Sequence, residues 1–580
     1  MNSTSPQLII DKQQPELGWV DALVLLTLFG LLWSVMHFGH GMLVAFNPAA
    51  VPDLDVSTSQ IPYYAGRTLL RMWIAFCFSL FFAISLGYVA AKNAAARAVI
   101  LPALDVLQSV PVLGFLSATV AGFMALFPGN LLGVECAAIF AIFTGQVWNM
   151  AFGFYHSMVT IPTDMQEAAS TYGLTRWQRF RTMELPASAH SLIWNSMMSF
   201  GGGWFFVAQS EAISVMNKDI KLPGLGSYMA SAIERGDNHA ALLAVLAMLA
   251  LILLSDQLIW RPLLVWADKF KIELTESSQT PTSWVFNLLR STQVFHWLSL
   301  YVWQPLHDAL DRALHRARPS ARRARPGAAN WPLRLASLAL VGWLGYEAIL
   351  GVFAAIATLH GALSIGMVGH IVWLGCLTLL RVLAMTVLAT LIWTPVGVWI
   401  GFHPRAARFA QPLAQIGASF PVNMTFPVVV GLFVATGTPM NWGSILLIAM
   451  GTQWYILFNV IAGAMAIPNE MKEVASIYGL RHWQMWRTLI LPAIFPFWVT
   501  GACTAAGGAW NASIVAEYAT WGNTTLKADG LGAFIAEVTK SGNTAQIIVS
   551  IAVMSLFVVA MNKLVWRRLY GFAERRFRLD

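Results

Sequence analysis

The sequence predicts an all-α polytopic membrane protein with about twelve transmembrane helices, arranged as two homologous halves. Three observations carry this expectation. The chain is 57% hydrophobic and only 11% charged, with a mean hydropathy of +0.61, whereas soluble proteins are about 25% charged. Apolar runs such as Val20 to Phe46, Ala240 to Trp260 and Ala545 to Trp566 reach or approach the roughly 20 residues with which a helix crosses a hydrocarbon core. Finally, the second part of the chain repeats the first. Nothing shows the apolar/polar alternation of barrel strands.

In chain order, residues 1–260 read as the first domain. The opening "MNSTSPQLIIDKQQPELGW" lacks a basic start, a short apolar core and a small-residue cleavage site, so the first helix is expected to stay as an anchor. Residues 261–335 form a basic linker containing "RARPSARRARPG". Its stretch Trp284 to Trp303 mixes Trp and Leu with Arg290 and His296, as helices lying in a membrane interface do. Residues 336–580 form the second domain. Basic residues gather in short loops, among them "AKNAAARA", "RWQRFR", "HPRAAR", "RHWQMWR" and "WRRLYGFAERRFR". Six spans per half with both termini cytoplasmic place all of these loops on one side, as the positive-inside rule requires. The net charge of +8 is thereby explained by orientation, and no nucleic-acid partner is expected.

The repeat is found by alignment at a fixed spacing. A shift of 306 pairs Gly145 with Gly451, Trp148 with Trp454, Trp204 with Trp510, Glu211 with Glu517, and the Gly-Leu-Gly at Gly224 with that at Gly530. Upstream the shift is 310, pairing the "TLLR" at Thr68 with that at Thr378 and Pro111 with Pro421. The four-residue change falls near an exposed turn, where length costs little. Each half also carries a polar and basic island, in the segments 161–186 and 467–492. "EAASTYGLTRWQRFRTMELP" and "EVASIYGLRHWQMWRTLILP" share twelve of twenty positions. They read as helix, Gly-permitted turn and second helix, with Pro186 and Pro492 in the first turn of the next membrane helix.

These islands resemble the EAA loop of binding-protein-dependent ABC importer permeases, over roughly Thr68 to Trp260 and Thr378 to Trp566. The resemblance implies two fused type I importer permease domains in a bacterial inner membrane. It implies that Glu167, Ala168, Ala169, Gly173 and Pro186, with Glu473, Ala475, Gly479 and Pro492, form coupling helices seated on two ABC ATPase subunits. Val474 departs from the pattern, where the family has Ala. An extracytoplasmic substrate-binding protein is a further implied partner. The Trp, Glu and Gly-Leu-Gly set looks like the nitrate, sulfonate, taurine and bicarbonate branch, which implies a small anion as cargo.

No G-x-x-x-x-G-K-[ST] occurs, so this chain is expected to bind no cofactor, with ATP and Mg on the partner subunits. Four cysteines lie apart in apolar segments, no pair has metal-ligand spacing, and no catalytic constellation emerges; the chain is not expected to be an enzyme. Polar groups inside membrane segments are functional candidates: Arg71, Gln146, Asn149, Trp204 and Glu211 in the first half, and Arg381, Gln453, Trp454, Trp510, Asn511 and Glu517 in the second. The two glutamates are open to lining, gating, amide capping or ion pairing, of which gating or ion pairing is favoured. Arg71 and Arg381, at outer helix starts, are open to attracting anions or to snorkelling. Phe205 faces Asn511 across the repeat, and Asn149 faces Tyr455, so a central cavity is expected to be asymmetric. Rival readings are an ion-coupled secondary transporter and a membrane sensor coupled to an ATPase.

Overall fold

The structure, a computed structural model, describes residues 18–46, 54–270 without 216 and 217, most of 283–305, five scattered positions from 309 to 350, and 364–576 without 482, 522 and 523. Helix α1 (Trp19–His40) precedes the first copy of the repeat. That copy runs α2 (Ile61–Lys92), α3 (Ala94–Gln108), α4 (Val112–Leu126), α5 (Leu132–Val159), α6 (Thr163–Thr171), α7 (Arg176–Arg179) and α8 (Leu185–Glu211). An antiparallel hairpin, β1 (Ala212–Val215) and β2 (Lys218–Lys221), leads to α9 (Leu225–Glu234), α10 (Asn238–Ser255) and α11 (Arg261–Ala267).

Helix α12 (Trp284–Ser291) lies in the linker. The second copy repeats the order: α13 (Ile365–Phe402), α14 (Pro404–Ser419), α15 (Phe426–Thr436), α16 (Met440–Met465), α17 (Asn469–Ile477), α18 (Trp483–Met485), α19 (Leu491–Ala516), β3 (Tyr518–Trp521), β4 (Thr524–Lys527), α20 (Leu531–Ser541), α21 (Thr544–Met561) and α22 (Arg567–Arg576). Even local irregularity repeats. Single π-helical turns occur at Phe180–Glu184 and Asp256–Trp260, and again at Trp486–Ile490 and Asn562–Trp566.

Eight helical stretches are long and apolar enough to cross a membrane, or nine if α3 and α4 make one span. The expected count of twelve is corrected to that number among the described residues. One cause is local: the apolar stretch containing α3 and α4 is bent by 88°. Pro111 supplies no amide donor and drives Val110 out of the helical region, so the chain breaks there. Its counterpart breaks before Pro421, which leaves α15 only 11 residues long. Helix α8 has the length, 27 residues, but its polar side chains from Ser188 to Ser199 make it less apolar than its counterpart α19. Residues 351–363 and most of 336–350 lie outside the described residues, as does most of the Arg-rich linker.

In each half the core is a trio of long helices, α2, α5 and α8 or α13, α16 and α19. Apolar burial gives little net drive between helices already in lipid, so close packing of small residues matters more. Ala75, Ala83, Ala137, Ala141 and Ala151 have no exposed surface. A Cβ on Gly87 would lie 2.9 Å from the Phe154 ring, and one on the matching Gly397 would lie 2.8 Å from Val460.

The halves meet where α8 packs on α14, and where α4 packs on α19, α20 and α21. Met424 of the second half is buried within the core of the first. The described part of the linker is tied to α1: Asp21 accepts hydrogen bonds from the Thr292 hydroxyl and from the Gln293 and Val294 amides, the latter two at 2.7 and 3.1 Å.

Candidate functional site

Each polar island folds as a short projecting helix that buries one residue and shows the rest. In α6, Ala169 is buried while Glu167 and Ala168 are exposed; in α17, Ala475 is buried while Glu473 and Val474 are exposed. An alanine at the buried position lets α6 lie flat on the cluster of Phe154, Met158, Ile161 and Met183. Both helices end in the same closure. The Leu174 amide donates to Ala169 O at 3.1 Å and the Leu480 amide to Ala475 O at 2.9 Å. Gly173 and Gly479 take φ of +63° and +67° with nothing near an added Cβ. The glycines are therefore present for backbone conformation, not for space. Tyr172 and Tyr478 project at the tips, 83% and 79% exposed. Pro186 and Pro492 stand in the first turns of α8 and α19.

The islands are anchored by different chemistry. In the first half Glu184, almost fully buried, pairs with Lys92 Nζ at 2.5 Å and Arg179 Nε at 3.1 Å, fastening the end of α2 to the island. The matching residues in the second half are Ile490, Phe402 and Met485, which pack together in the apolar core. Three ionic side chains have been replaced as a set by three apolar ones.

A second pair of polar clusters lies at the other end of the long helices. Arg71 and Arg381, expected at outer helix starts as anion attractors or snorkelling side chains, are instead buried within α2 and α13. Arg71 donates to Glu211 Oε1 at 2.7 Å, to Glu135 Oε2 at 2.5 Å and to Pro223 O at 2.9 Å. Arg381 donates to Glu517 Oε1 at 3.0 Å and to Asn441 Oδ1 at 2.8 Å. Compensated guanidinium groups of this kind are not free to draw in anions.

The glutamates also cap backbone. Glu211 Oε2 accepts the Gly226 amide at 2.7 Å and Oε1 accepts the Thr68 hydroxyl at 2.7 Å, while Thr68 Oγ1 accepts the Leu225 amide at 3.0 Å. The second half repeats this with Glu517, Gly532, Thr378 and Leu531 at 2.9 Å in each case. A carboxylate thus sits at the N-terminus of α9 and of α20, where unpaired amides and the helix dipole favour an anion. The Gly-Leu-Gly sequence is required by this fit: a Cβ on Gly224 would lie 2.2 Å from the Glu211 carboxyl carbon, and one on Gly226 would lie 2.2 Å from Ala208 O.

Sequence reasoning missed Arg67, Thr68 and Glu135 here. The repeated "TLLR" carried the signal for Thr68. Glu135 gave none, because its counterpart is Asn441.

Two clefts lie between the halves. One, narrow, is bordered by Met197, Gly201, Gln415, Ser419, Trp454 and Tyr455, among others. The other, equally narrow, adjoins it and is bordered by Trp204, Asp256, Trp260 and Gln415. Of the remaining candidates, Gln146 is fully buried and within 3.4 Å of Ser79 Oγ. Asn149 is exposed, Gln453 accepts from Trp393 Nε1 at 2.9 Å, and Trp510 is buried against Phe557 within its own half. Asn511 accepts the Val112 amide at 2.9 Å, so it caps the broken helix of the opposite half. Gln415, Ser419 and Met197 were missed because neither the mixed polar and apolar sequence of α14 nor the apolar one of α8 says which residues meet the other half.

The family model described as binding-protein-dependent transport system inner membrane component matches twice, at residues 83–259 and 393–579, together more than half of the chain. The nitrate import permease protein NrtB of Leptolyngbya laminosa is 26% identical over 33% of this chain and 66% of its own length. The bicarbonate transport system permease protein CmpB of Synechococcus elongatus is 24% identical over the same shares. The glycine betaine/proline betaine transport system permease protein ProW of Escherichia coli is 27% identical over 29% of this chain and 46% of its own length. The chain thus spans less than two thirds of the length of these relatives.

Proposed function

The chain belongs to the binding-protein-dependent transport system inner membrane component family, and from that premise we propose that its two fused halves import a small anion, driven by two separately encoded ATPase subunits. It is a multi-pass membrane permease, a transport subunit and not a catalytic one. ATP and Mg are held by the partner subunits, and a binding protein delivers cargo from outside. The islands and both termini face the cytoplasm of a bacterial inner membrane.

The observation that carries this reading is the pair of projecting helices α6 and α17, identical in closure and placed once per half. Two equivalent handles fit a twofold motor. Glu167, Ala168 and Gly173, with Glu473 and Gly479, form the surfaces on which the ATPases press, and Ala169 and Ala475 pass that motion to the core beneath. Cargo crosses between the halves, along the clefts at Trp454 and Trp204 and past the exposed Asn149. Nitrate and bicarbonate in the names of two relatives support an anion, while the betaine relative makes a zwitterion the competitor to test.

Proline cannot adopt φ above zero, so Gly173→Pro with Gly479→Pro breaks both closures. An ATPase is expected to co-purify with the wild type from native membranes and to be lost from the double variant, with the membrane core still folded. Absence of any ATPase from the wild type overturns the reading in favour of ion-coupled transport. Uptake of labelled nitrate, bicarbonate and glycine betaine then separates the cargo classes.

A further inference from the structure

The two islands are alike in backbone and unlike in the surface they present. Residues three and four apart share a face of a helix, which sets Met471, Val474, Ile477 and Tyr478 in one row along α17, and Met165, Ala168, Thr171 and Tyr172 in the matching row along α6. All eight are exposed. The rows begin and end with the same residues, Met and Tyr, but their middles differ. Ala168 answers to Val474, 50% exposed, and Thr171 answers to Ile477, 82% exposed. Beyond the turn Trp483 is 69% exposed, whereas the matching Trp177 is half-buried with its ring 5.9 Å from that of Phe180.

The polar residue beside each row is turned back to its own half. Gln166 accepts from Arg179 Nη2 at 3.1 Å and donates to Ile161 O at 3.0 Å, and Lys472 lies 5.0 Å from the centre of the Phe402 ring. The contrast between the rows is therefore apolar. A contiguous apolar row on a projecting helix marks an interaction surface. Exposed Glu470 and Glu473 flank the row on α17, and such acids are repelled by an anionic leaflet, so the row suits a protein and not the lipid surface.

We propose that the islands are unequal seats for the ATPase subunits, with α17 holding its subunit about tenfold more tightly than α6, even when the two subunits are identical. The ratio is that given by burial of about two further methylene-sized groups, which Val474 and Ile477 supply over Ala168 and Thr171. Assembly then has an order: the first subunit takes α17, and the subunit on α6 is the first to leave. The partner fits by an apolar groove that admits a branched aliphatic side chain beside the tyrosine. This inference rests on the reading of the islands as ATPase seats.

The test uses the full chain in inverted membrane vesicles stripped of peripheral subunits and titrated with the ATPase that co-purifies with the wild type. A benzophenone amino acid is placed at Ser170 or at the matching Ser476, both exposed, and the photo-adduct with the ATPase is measured against its concentration. Half-maximal adduct at 476 is expected at about one tenth of the concentration needed at 170. Val474→Ala with Ile477→Thr is expected to raise the midpoint at 476 about tenfold and leave 170 unchanged. Ala168→Val with Thr171→Ile is expected to lower the midpoint at 170 by a similar factor and leave 476 unchanged. In each variant the unaltered island shows that the membrane core is folded. Equal midpoints in the wild type, or a gap that the exchanges do not move, overturn the unequal seats and leave the ATPase reading intact. No adduct at either position, or no co-purifying ATPase, overturns both.

Discussion

Arg67 and Glu135, joined at 2.5 Å with no exposed surface, answer to Leu377 and Asn441 across the repeat. A buried charge without a partner is far costlier than no charge at all, so a neutral pair is exchanged as a unit. Glu135→Asn alone leaves the buried Arg67 guanidinium without its acid, while Arg71 keeps Glu211, and is expected to cost about 3 to 5 kcal/mol. Adding Arg67→Leu recreates the arrangement that the second half already uses with Arg381. Thermal unfolding of the detergent-purified chain should therefore show the double variant more stable than Glu135→Asn; additive losses would sink this account.

At the scale of elements, the two broken helices begin differently. After Pro111 the chain enters α4 directly, and the first free amide, that of Val112, is taken by Asn511 of the other half. In the second half the counterpart of Asn511 is Phe205, which offers no acceptor, and after Pro421 the chain makes a 3-10 turn at Val422–Met424 before α15 begins. That break is tied across the interface by Asn423 Nδ2 donating to Gln209 Oε1 at 3.0 Å. Asn511→Ala is expected to cost about 1 kcal/mol, as loss of a helix cap does. Amide exchange in the first turn of α4 should quicken while that of α15 stays unchanged; equal protection in both variants would remove Asn511 from this role.

Across the whole molecule, two charge clusters of the first half have uncharged counterparts in the second: Lys92, Arg179 and Glu184 answer to three apolar residues, and Arg67 with Glu135 to Leu377 and Asn441. The halves are thus alike in fold and unlike in how firmly their parts are tied. Buried side chains such as Met424, the Val112 amide donating to Asn511 and Asn423 donating to Gln209 join the halves directly, apart from the covalent link. Fragments 1–305 and 336–580 expressed together are expected to co-purify in near-equal amounts. Recovery of either fragment alone would assign the association to the linker.

The sequence by itself determined the class and the duplication, because apolar runs, the 306 and 310 spacings and the two islands are one-dimensional patterns. It also located Gly173 and Gly479, since a turn with positive φ is a local demand that glycine meets. Only the tertiary structure decided the rest. Membrane depth and hydropathy do not reveal an 88° bend, so the span count came out too high. Nor does a helix show from its sequence which face meets the other half. Glu211 therefore proves to cap α9 and hold Arg71, Asn511 to cap α4, and Gln415 to border the cleft, because those outcomes depend on residues 15 to 399 positions away.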